Sequence, residues 1–258
     1  MKISLVQSDI FWEDKKANFR KYESLLAGLK GNTDLVVLPE MFSTGFSMNS
    51  RDMAEDMDGL TLEWMESTSS AGNFGLIGSF IATEGGKYYN RLVFMKPGGD
   101  YCIYDKGHLF RMEKEDLFYT KGNRRVTEPF RGANFSLQIC YDLRFPVWSR
   151  NRNNSYDILI YIANWPAARR KVWTTLLPAR AIENQCYVIG VNRVGRDGNG
   201  IDYCGDSMII GPRGDILAAA EENEEEVVTY ELSLSELEQF REKFPVWRDA
   251  DDFRLISG

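Results

Sequence analysis

The chain has 258 residues, of which 43% are hydrophobic, and its formal net charge is −7. This length is enough for one large domain with a full core, and no linker rich in Pro, Ser or Gly divides it, so we predict a single domain over residues 1–258. The acidic balance argues against a nucleic-acid-binding surface. No apolar stretch approaches the length of a membrane span, and the chain runs directly into a strand-like segment without a signal peptide. These two observations predict a cytoplasmic protein.

The first half of the chain alternates between strand-like and helix-like hydrophobic patterns. The predicted elements are a strand at 2–7, a helix over 15–29, a strand at 34–38, a helix over 61–70, and strands at 75–82, 91–95 and 101–104. Glycine-rich turns at 84–87 and 97–100 join the last three strands as hairpins. A long polar loop at 107–124 follows, and long ordered loops inside a compact domain are often functional.

The second half repeats this alternation. We predict a strand at 135–140, a helix over 147–152, a strand at 156–162, a helix over 173–184, a strand at 186–191, a hairpin of 207–210 with 216–219, a strand at 227–232 and a helix over 234–243. Ser233 and Glu236 form a capping-box pattern at the start of the last helix. Pattern alone therefore predicts an α/β protein with many strands.

The most informative residue is Cys140, which ends an apolar strand immediately before a polar break. Pro146 suits the first turn of a helix that follows. A nucleophile at such a turn is exposed, and nearby backbone N–H groups can hold an oxyanion. Most buried cysteines are inert small hydrophobes, so Cys140 has to be judged by the residues that accompany it.

Two charged residues accompany Cys140 at the ends of other predicted strands. Glu40 follows the β-branched run at 35–38, and Lys106 follows the strand at 101–104. Each residue alone is more typical of a solvated surface position. The carboxyl ends of strands are nevertheless where α/β folds build their sites, so the three together indicate a candidate site.

Six motifs follow one another through nearly the whole chain: PEMF at 39–42, DKGHLF at 105–110, CYDLRFPVW at 140–148, ANWP at 163–166, ARAIEN at 179–184 and GDS at 205–207. Together they resemble the nitrilase superfamily of carbon–nitrogen hydrolases, and its omega-amidase branch above all. The resemblance implies a four-layer α-β-β-α sandwich and a Glu-Lys-Cys catalytic set. It also implies that Cys140 attacks an amide carbon, that Glu40 shuttles protons, and that Lys106 and the backbone N–H of Tyr141 stabilise the oxyanion.

A second glutamate usually holds the lysine in this family. Glu115 matches by its seven-residue offset from Gly122, and Glu113 is the competitor because the loop varies in length. Lys106 beside two carboxylates should stay charged, which suits an electrostatic role. His108 offers a Cys-His alternative, but the resemblance gives it no catalytic part, so we favour an orienting or structural role.

Further side chains are candidates for substrate binding. Arg144 could clamp the distal carboxylate of a substrate, and the alternative is an internal ion pair with Asp142 or Asp206. Trp165 could wall the pocket, with simple core packing as its alternative, and Met41, Phe42 and Phe46 could close the other side.

The four cysteines form no Cys-x-x-Cys pair and the chain has one histidine, so neither a disulfide nor a zinc or other metal site is expected. The predicted function is hydrolysis of the terminal amide of small 2-oxo-dicarboxylic acid monoamides through a cysteine thioester, without a cofactor. The alternatives are another amidase or carbamoylase of the superfamily with a small acidic substrate, and a catalytically silent binding protein. The resemblance and the mixed aromatic and charged tail at 245–253 predict a homodimer.

Overall fold

The computed structural model of the protein describes residues 1–255, in which fourteen strands and seven α-helices alternate along the chain. The strands are β1 (Lys2–Gln7), β2 (Leu35–Val37), β3 (Gly75–Glu84), β4 (Lys87–Met95), β5 (Tyr101–Asp105), β6 (Thr127–Phe130), β7 (Ala133–Ile139), β8 (Ile158–Ala163), β9 (Tyr187–Asn192), β10 (Val194–Arg196), β11 (Asp202–Cys204), β12 (Met208–Ile210), β13 (Ile216–Ala219) and β14 (Glu226–Glu231). The helices are α1 (Lys15–Leu26), α2 (Ser50–Met53), α3 (Leu60–Gly72), α4 (Glu115–Phe118), α5 (Pro146–Ser149), α6 (Arg170–Asn184) and α7 (Leu234–Lys243).

The strands form two six-stranded mixed sheets and one small hairpin. The first sheet has the order β14-β1-β2-β3-β4-β5, and the second has the order β13-β12-β9-β8-β7-β6. The neighbouring strands β1, β2 and β3 are parallel, as are β7, β8 and β9. Parallel neighbours end at the same edge of a sheet, so the segments that follow β2, β7 and β8 are placed to build a site there.

The two sheets pack face to face, and helices cover their outer faces. In β2, Leu35 and Val37 join the core between the sheets, whereas Val36 joins the core beneath α1 and α3, as the two-residue period of a strand requires. On the far side Trp173 and Leu177 of α6 pack against the second sheet. The predicted four-layer α-β-β-α sandwich is confirmed. Burying each large aliphatic side chain in these layers contributes about 1.5–3 kcal/mol.

Several predicted boundaries differ from the structure for local physical reasons. The strand predicted at 135–140 ends at Ile139, because Cys140 has a φ of +46°, which no strand residue adopts. The loop at 107–124 contains a 3₁₀ turn at Arg111–Glu113 and the short helix α4. The edge strand β6 was not predicted because it contains Pro129, which is tolerated only where no ladder hydrogen bond is needed.

The last helix agrees with its prediction. It spans Leu234–Lys243, and the Ser233 hydroxyl accepts the backbone N–H of Glu236 at 3.2 Å. This contact satisfies one of the backbone donors left free at a helix N-terminus. Among residues 1–255, no helix is both long enough and apolar enough to cross a membrane.

Candidate active site

The Lys106 ammonium lies between two glutamates in the interior of the protein. Its Nζ donates to Glu40 Oε1 at 2.9 Å and to both carboxylate oxygens of Glu115 at 3.0 Å. All three side chains are fully buried. Glu40 comes from the segment after β2, Lys106 from the end of β5, and Glu115 from the first turn of α4. The sequence-predicted glutamates and lysine are thus brought together from three separate parts of the chain.

The charge of this cluster follows from burial and from the balance of one ammonium against two carboxylates. Burial by itself lowers the pKa of Lys106, but the carboxylates of Glu115 and Glu40 outweigh it and the pKa is raised. Burial raises the pKa of Glu115, an effect that Lys106 opposes and Glu40 reinforces. Lys106 therefore remains an ammonium, as expected from the sequence, and can stabilise negative charge.

Cys140 begins a 3₁₀ turn, Cys140–Arg144, at the tip of β7. Its thiol lies 4.0 Å from the carbonyl oxygen of Asn164. Burial raises the pKa of Cys140 well above its usual value, and the nearby charge of Glu40 raises it further although Lys106 lowers it. The resting thiol therefore keeps its proton, and its attack on a substrate requires a base. The backbone N–H of Tyr141 lies in the first turn, where such groups have no helical partner.

Two asparagines that sequence reasoning did not assign hold Glu40 in place. Asn90 donates its side-chain amide to Glu40 Oε1 at 2.7 Å. Asn164 donates its backbone N–H to Glu40 Oε2 at 2.7 Å and its side-chain amide to the Glu40 carbonyl at 2.6 Å. Asn164 lies in the ANWP motif, which was a usable signal. Asn90 gives no such signal, because it lies between Tyr89 and Arg91 in the polar first half of β4.

Glu113 and Glu115, the two candidates for the second glutamate, differ in their surroundings. Glu115 is buried on Lys106, whereas Glu113 is exposed and lies at the rim of the cavity that contains Cys140. The backbone N–H of Gly122 donates to the Lys106 carbonyl at 2.8 Å, and a Cβ at Gly122 would lie 2.1 Å from the Asp105 carbonyl oxygen. Glycine is therefore required where the loop closes over the end of β5.

His108 does not accompany Cys140 in a Cys-His pair. Its Nδ1 lies 2.7 Å from Asp142 Oδ1, and its ring stacks on Phe145 with the centroids 3.8 Å apart. These contacts agree with the orienting or structural role that we favoured for His108.

A cavity opens beside the thiol. Three of the predicted substrate-binding residues, Phe46, Arg144 and Trp165, line it together with Cys140. Phe46 also covers the lysine, whose Nζ lies 5.0 Å from the ring centroid. A two-stranded hairpin of β10 and β11 contributes Tyr203 to the cavity wall.

Met41 and Phe42 do not line this cavity. Both side chains have no solvent exposure. Phe42 packs in the core beneath α1 and α3, with ring centroids 5.5 Å from those of Tyr22 and Trp64. Met41 packs with Ile81 in a separate small cluster. They pack in the core and not at the pocket wall, where we predicted them. The tight turn after Glu40, in which Met41 has a φ of +45°, directs the chain inward.

Arg144 forms neither of the internal ion pairs that the sequence left open. Asp206 is engaged by Arg170 at 2.7 and 2.8 Å, and Asp142 accepts from Tyr104 and His108. Within residues 1–255, Arg144 has no carboxylate partner within 4.0 Å, and its guanidinium lies 5.4 Å from the Trp165 ring centroid. Arg144 therefore presents an unneutralised cation to the cavity.

The chemistry available here is that of acidic, basic and thiol groups. Among residues 1–255, no group of three or more His, Cys, Asp or Glu side chains is arranged to hold a metal ion. The site brings together a protonated thiol, a carboxylate beside it, a buried ammonium and an open cavity that contains a cation. This arrangement suits nucleophilic attack on an uncharged acyl carbon whose oxygen becomes negative.

Comparisons with known proteins agree with this chemistry. The family model described as "Carbon-nitrogen hydrolase" matches residues 2–242. The chain is 48% identical to "Omega-amidase YafV" of Escherichia coli, covering 99% of this chain and 98% of that protein. It is 34% identical to "2-oxoglutaramate amidase" of Bacillus subtilis, covering 96% of each.

A solved structure shares the fold closely. XC1258 from Xanthomonas campestris, described as a CN-hydrolase superfamily protein with an arsenic adduct in the active site, superposes with a TM-score of 0.97 at 42% identity, covering 99% of this chain and 98% of that one. The chain belongs to the carbon–nitrogen hydrolase family, whose members include the omega-amidases that it resembles in sequence.

Proposed function

We propose that the protein is an omega-amidase, which hydrolyses the terminal amide of small 2-oxo-dicarboxylic acid monoamides such as 2-oxoglutaramate to the acid and ammonia. The observation that carries this proposal is the content of one cavity, in which the Cys140 thiol and the unpaired guanidinium of Arg144 both lie. The thiol suits the amide end of such a substrate, and the guanidinium suits its carboxylate end. The two relatives named above as an omega-amidase and a 2-oxoglutaramate amidase support the same substrate class.

In the first half-reaction Cys140 is the nucleophile and Glu40 is the base. The sulfur attacks the amide carbon while its proton moves to Glu40, since the buried thiol is protonated at rest. Negative charge develops on the amide oxygen, where the Lys106 ammonium and the Tyr141 backbone N–H stabilise it. Glu40 then gives the proton to the amide nitrogen and the C–N bond breaks. Ammonia departs, and the acyl group remains bound to the sulfur as a thioester.

In the second half-reaction the same carboxylate activates water. Glu40 takes a proton from a water molecule as its oxygen attacks the thioester carbon, and the oxyanion forms again beside Lys106. The C–S bond then breaks, the thiol recovers its proton, and the acid product leaves. Losing one oxyanion donor typically costs about 3–4 kcal/mol in the barrier, so Lys106 and Tyr141 account for a large share of the rate.

Glu115 holds the ammonium rather than reacting. Its two oxygens each accept from Lys106 at 3.0 Å, so the lysine is fixed in orientation through both half-reactions. Two carboxylates against one ammonium also leave the site one negative charge in excess.

A substrate panel tests the proposal. The purified protein should release ammonia from 2-oxoglutaramate and from other amides that bear a distal carboxylate, and only slowly from neutral amides or N-carbamoyl compounds of similar length. Faster release from an N-carbamoyl amino acid would assign the site to a carbamoylase. No release from any member of the panel would support a silent binding protein.

We further propose that residues 1–258 form one domain that works in the cytoplasm as a homodimer. The mixed cores of the described residues, which join strands from both halves of the chain, support one domain. Exposed apolar side chains on α5, on α6 and just after α7, namely Val147, Ile182 and Phe244, support an association surface.

A further inference from the structure

The carboxylate of Asp142 lies two residues beyond the nucleophile and has no part in the chemistry described above. It is fully buried and accepts four hydrogen bonds. Oδ1 accepts from the backbone N–H of His108 at 3.0 Å and from its ring Nδ1 at 2.7 Å. Oδ2 accepts from the Tyr104 hydroxyl at 2.6 Å and from the Ile139 backbone N–H at 3.0 Å.

These donors come from the two segments that contain the reacting groups. Ile139 immediately precedes Cys140, whereas Tyr104 and His108 lie two residues before and two residues after Lys106. One carboxylate therefore ties the turn of the nucleophile to both sides of the lysine. Within residues 1–255, no other side chain forms hydrogen bonds to all of these positions.

The turn at Cys140 needs such a tie. A φ of +46° is unfavourable for a residue with a side chain, and it persists only where surrounding contacts hold it. The Ile139 N–H donates to the side chain of Asp142, three residues later. An acidic residue in the first turn of a helix makes the same contact in a capping box. The backbone conformation that aims the thiol at the cavity is thus fixed by a side chain of the same turn.

The lysine side of the tie is equally constrained. The Tyr104 hydroxyl donates to Asp142 while it accepts the Trp148 indole N–H at 3.0 Å and the Gly107 backbone N–H at 3.1 Å. Burial, and next the charge of Asp142, raise the pKa of Tyr104 well above its usual value, so the hydroxyl always donates. A Cβ on Gly107 would lie 2.8 Å from the Trp148 ring, which shows how closely the network is packed.

We propose that Asp142 is a positioning residue for amide hydrolysis, which holds the Cys140 sulfur and the Lys106 ammonium at a fixed separation through this network. The inference rests on the roles proposed above for Cys140 and Lys106. A carboxylate is required at Asp142 because every one of its partners donates. The His108 ring completes the set from the solvent side, where its side chain is 26% exposed.

Asp142→Asn is the direct test, since it keeps the volume and removes the charge. Whichever way the amide is turned, its NH₂ group meets a backbone N–H that can only donate, from His108 on one side or from Ile139 on the other, so one side of the tie is lost. A displacement of about 1 Å between reacting groups can cost about 100-fold, so we expect kcat for 2-oxoglutaramate to fall by about that factor while KM changes less than about threefold. Asp58→Asn, which removes an exposed carboxylate, is the matched control and should leave kcat unchanged.

Two variants of His108 keep the inference testable if Asp142→Asn does not fold. The side-chain amide of His108→Asn can donate from nearly the place of ring Nδ1, whereas His108→Leu has a similar volume and no donor. We expect His108→Asn to keep kcat within about threefold of the unaltered protein and His108→Leu to lower it about tenfold with KM unchanged. A purely structural role would lower the melting temperature of the two variants without separating their kcat values.

The outcomes distinguish this inference from the proposed function. Full activity of folded Asp142→Asn, or equal kcat values for the two His108 variants, would overturn the positioning role. If Cys140→Ala is inactive in the same assay, the proposed function stands whichever way these variants behave. Retained activity of Cys140→Ala would instead remove the proposed function and the inference with it.

Discussion

Replacing Arg144 by methionine should change which amides the enzyme prefers more than it changes the fold. The guanidinium opens on the cavity of Cys140 and has no carboxylate partner within 4.0 Å among residues 1–255, so its removal leaves no buried acid unpaired. A charge-assisted bidentate contact with a substrate carboxylate contributes about 2–3 kcal/mol. The ratio of kcat/KM for an acidic amide to that for a neutral amide of similar length should therefore fall by about 30- to 150-fold.

Ammonia release from 2-oxoglutaramate and from a neutral amide, together with a melting curve, measures this effect on one variant. Arg213→Met is a matched control, because the Arg213 guanidinium likewise lies over an aromatic ring, 4.5 Å from the Phe240 centroid, but outside the cavity. The control should leave the selectivity ratio unchanged. Parallel loss of both activities in Arg144→Met, with a lower melting temperature, would contradict the clamp and indicate a structural role.

Three further predictions follow from the buried groups and the surface. Glu115→Gln should lower kcat by about 100-fold or more because it loosens Lys106, and Glu113→Gln should stay within about threefold; steady-state kinetics in the reverse order would contradict this assignment. Burial raises the pKa of Cys102 and Cys186, so the stability that these thiols contribute is complete below their unfolded pKa of about 8.5 and is lost as pH rises through the folded values. The melting temperature should accordingly fall above about pH 9, and a constant value up to pH 11 would refute this reasoning. Light scattering at micromolar concentration should give twice the chain mass of 29.6 kDa, whereas the mass of one chain would exclude the homodimer.

The parts of the site that the sequence predicted are those at strand ends. Glu40, Lys106 and Cys140 each follow an apolar run, and the carboxyl ends of such runs converge in an α/β fold. The spacing from Gly122 selected Glu115 over Glu113, and the structure buries Glu115 on the lysine. These predictions needed only local order along the chain and the resemblance to a family.

The parts that the sequence did not predict depend on contacts between distant segments. Phe42 lies two residues after Glu40, but a tight turn directs its ring into the core beneath α1 and α3. Asn90 supports Glu40 from fifty residues away across β4, and nothing in its own segment distinguishes it from a surface polar residue. The position of Arg144 required knowing that Arg170 already engages Asp206.

Trapping the acyl-enzyme tests the central claim most directly. Rapid acid quench of the enzyme during turnover of 2-oxoglutaramate, followed by mass spectrometry of its peptides, should show the acyl group as a thioester on the peptide that contains Cys140. Cys140→Ala should show no adduct and no ammonia release, while Cys186→Ala, which removes another buried thiol, should show both. Ammonia release by folded Cys140→Ala, or an acyl adduct on a different residue, would contradict the mechanism.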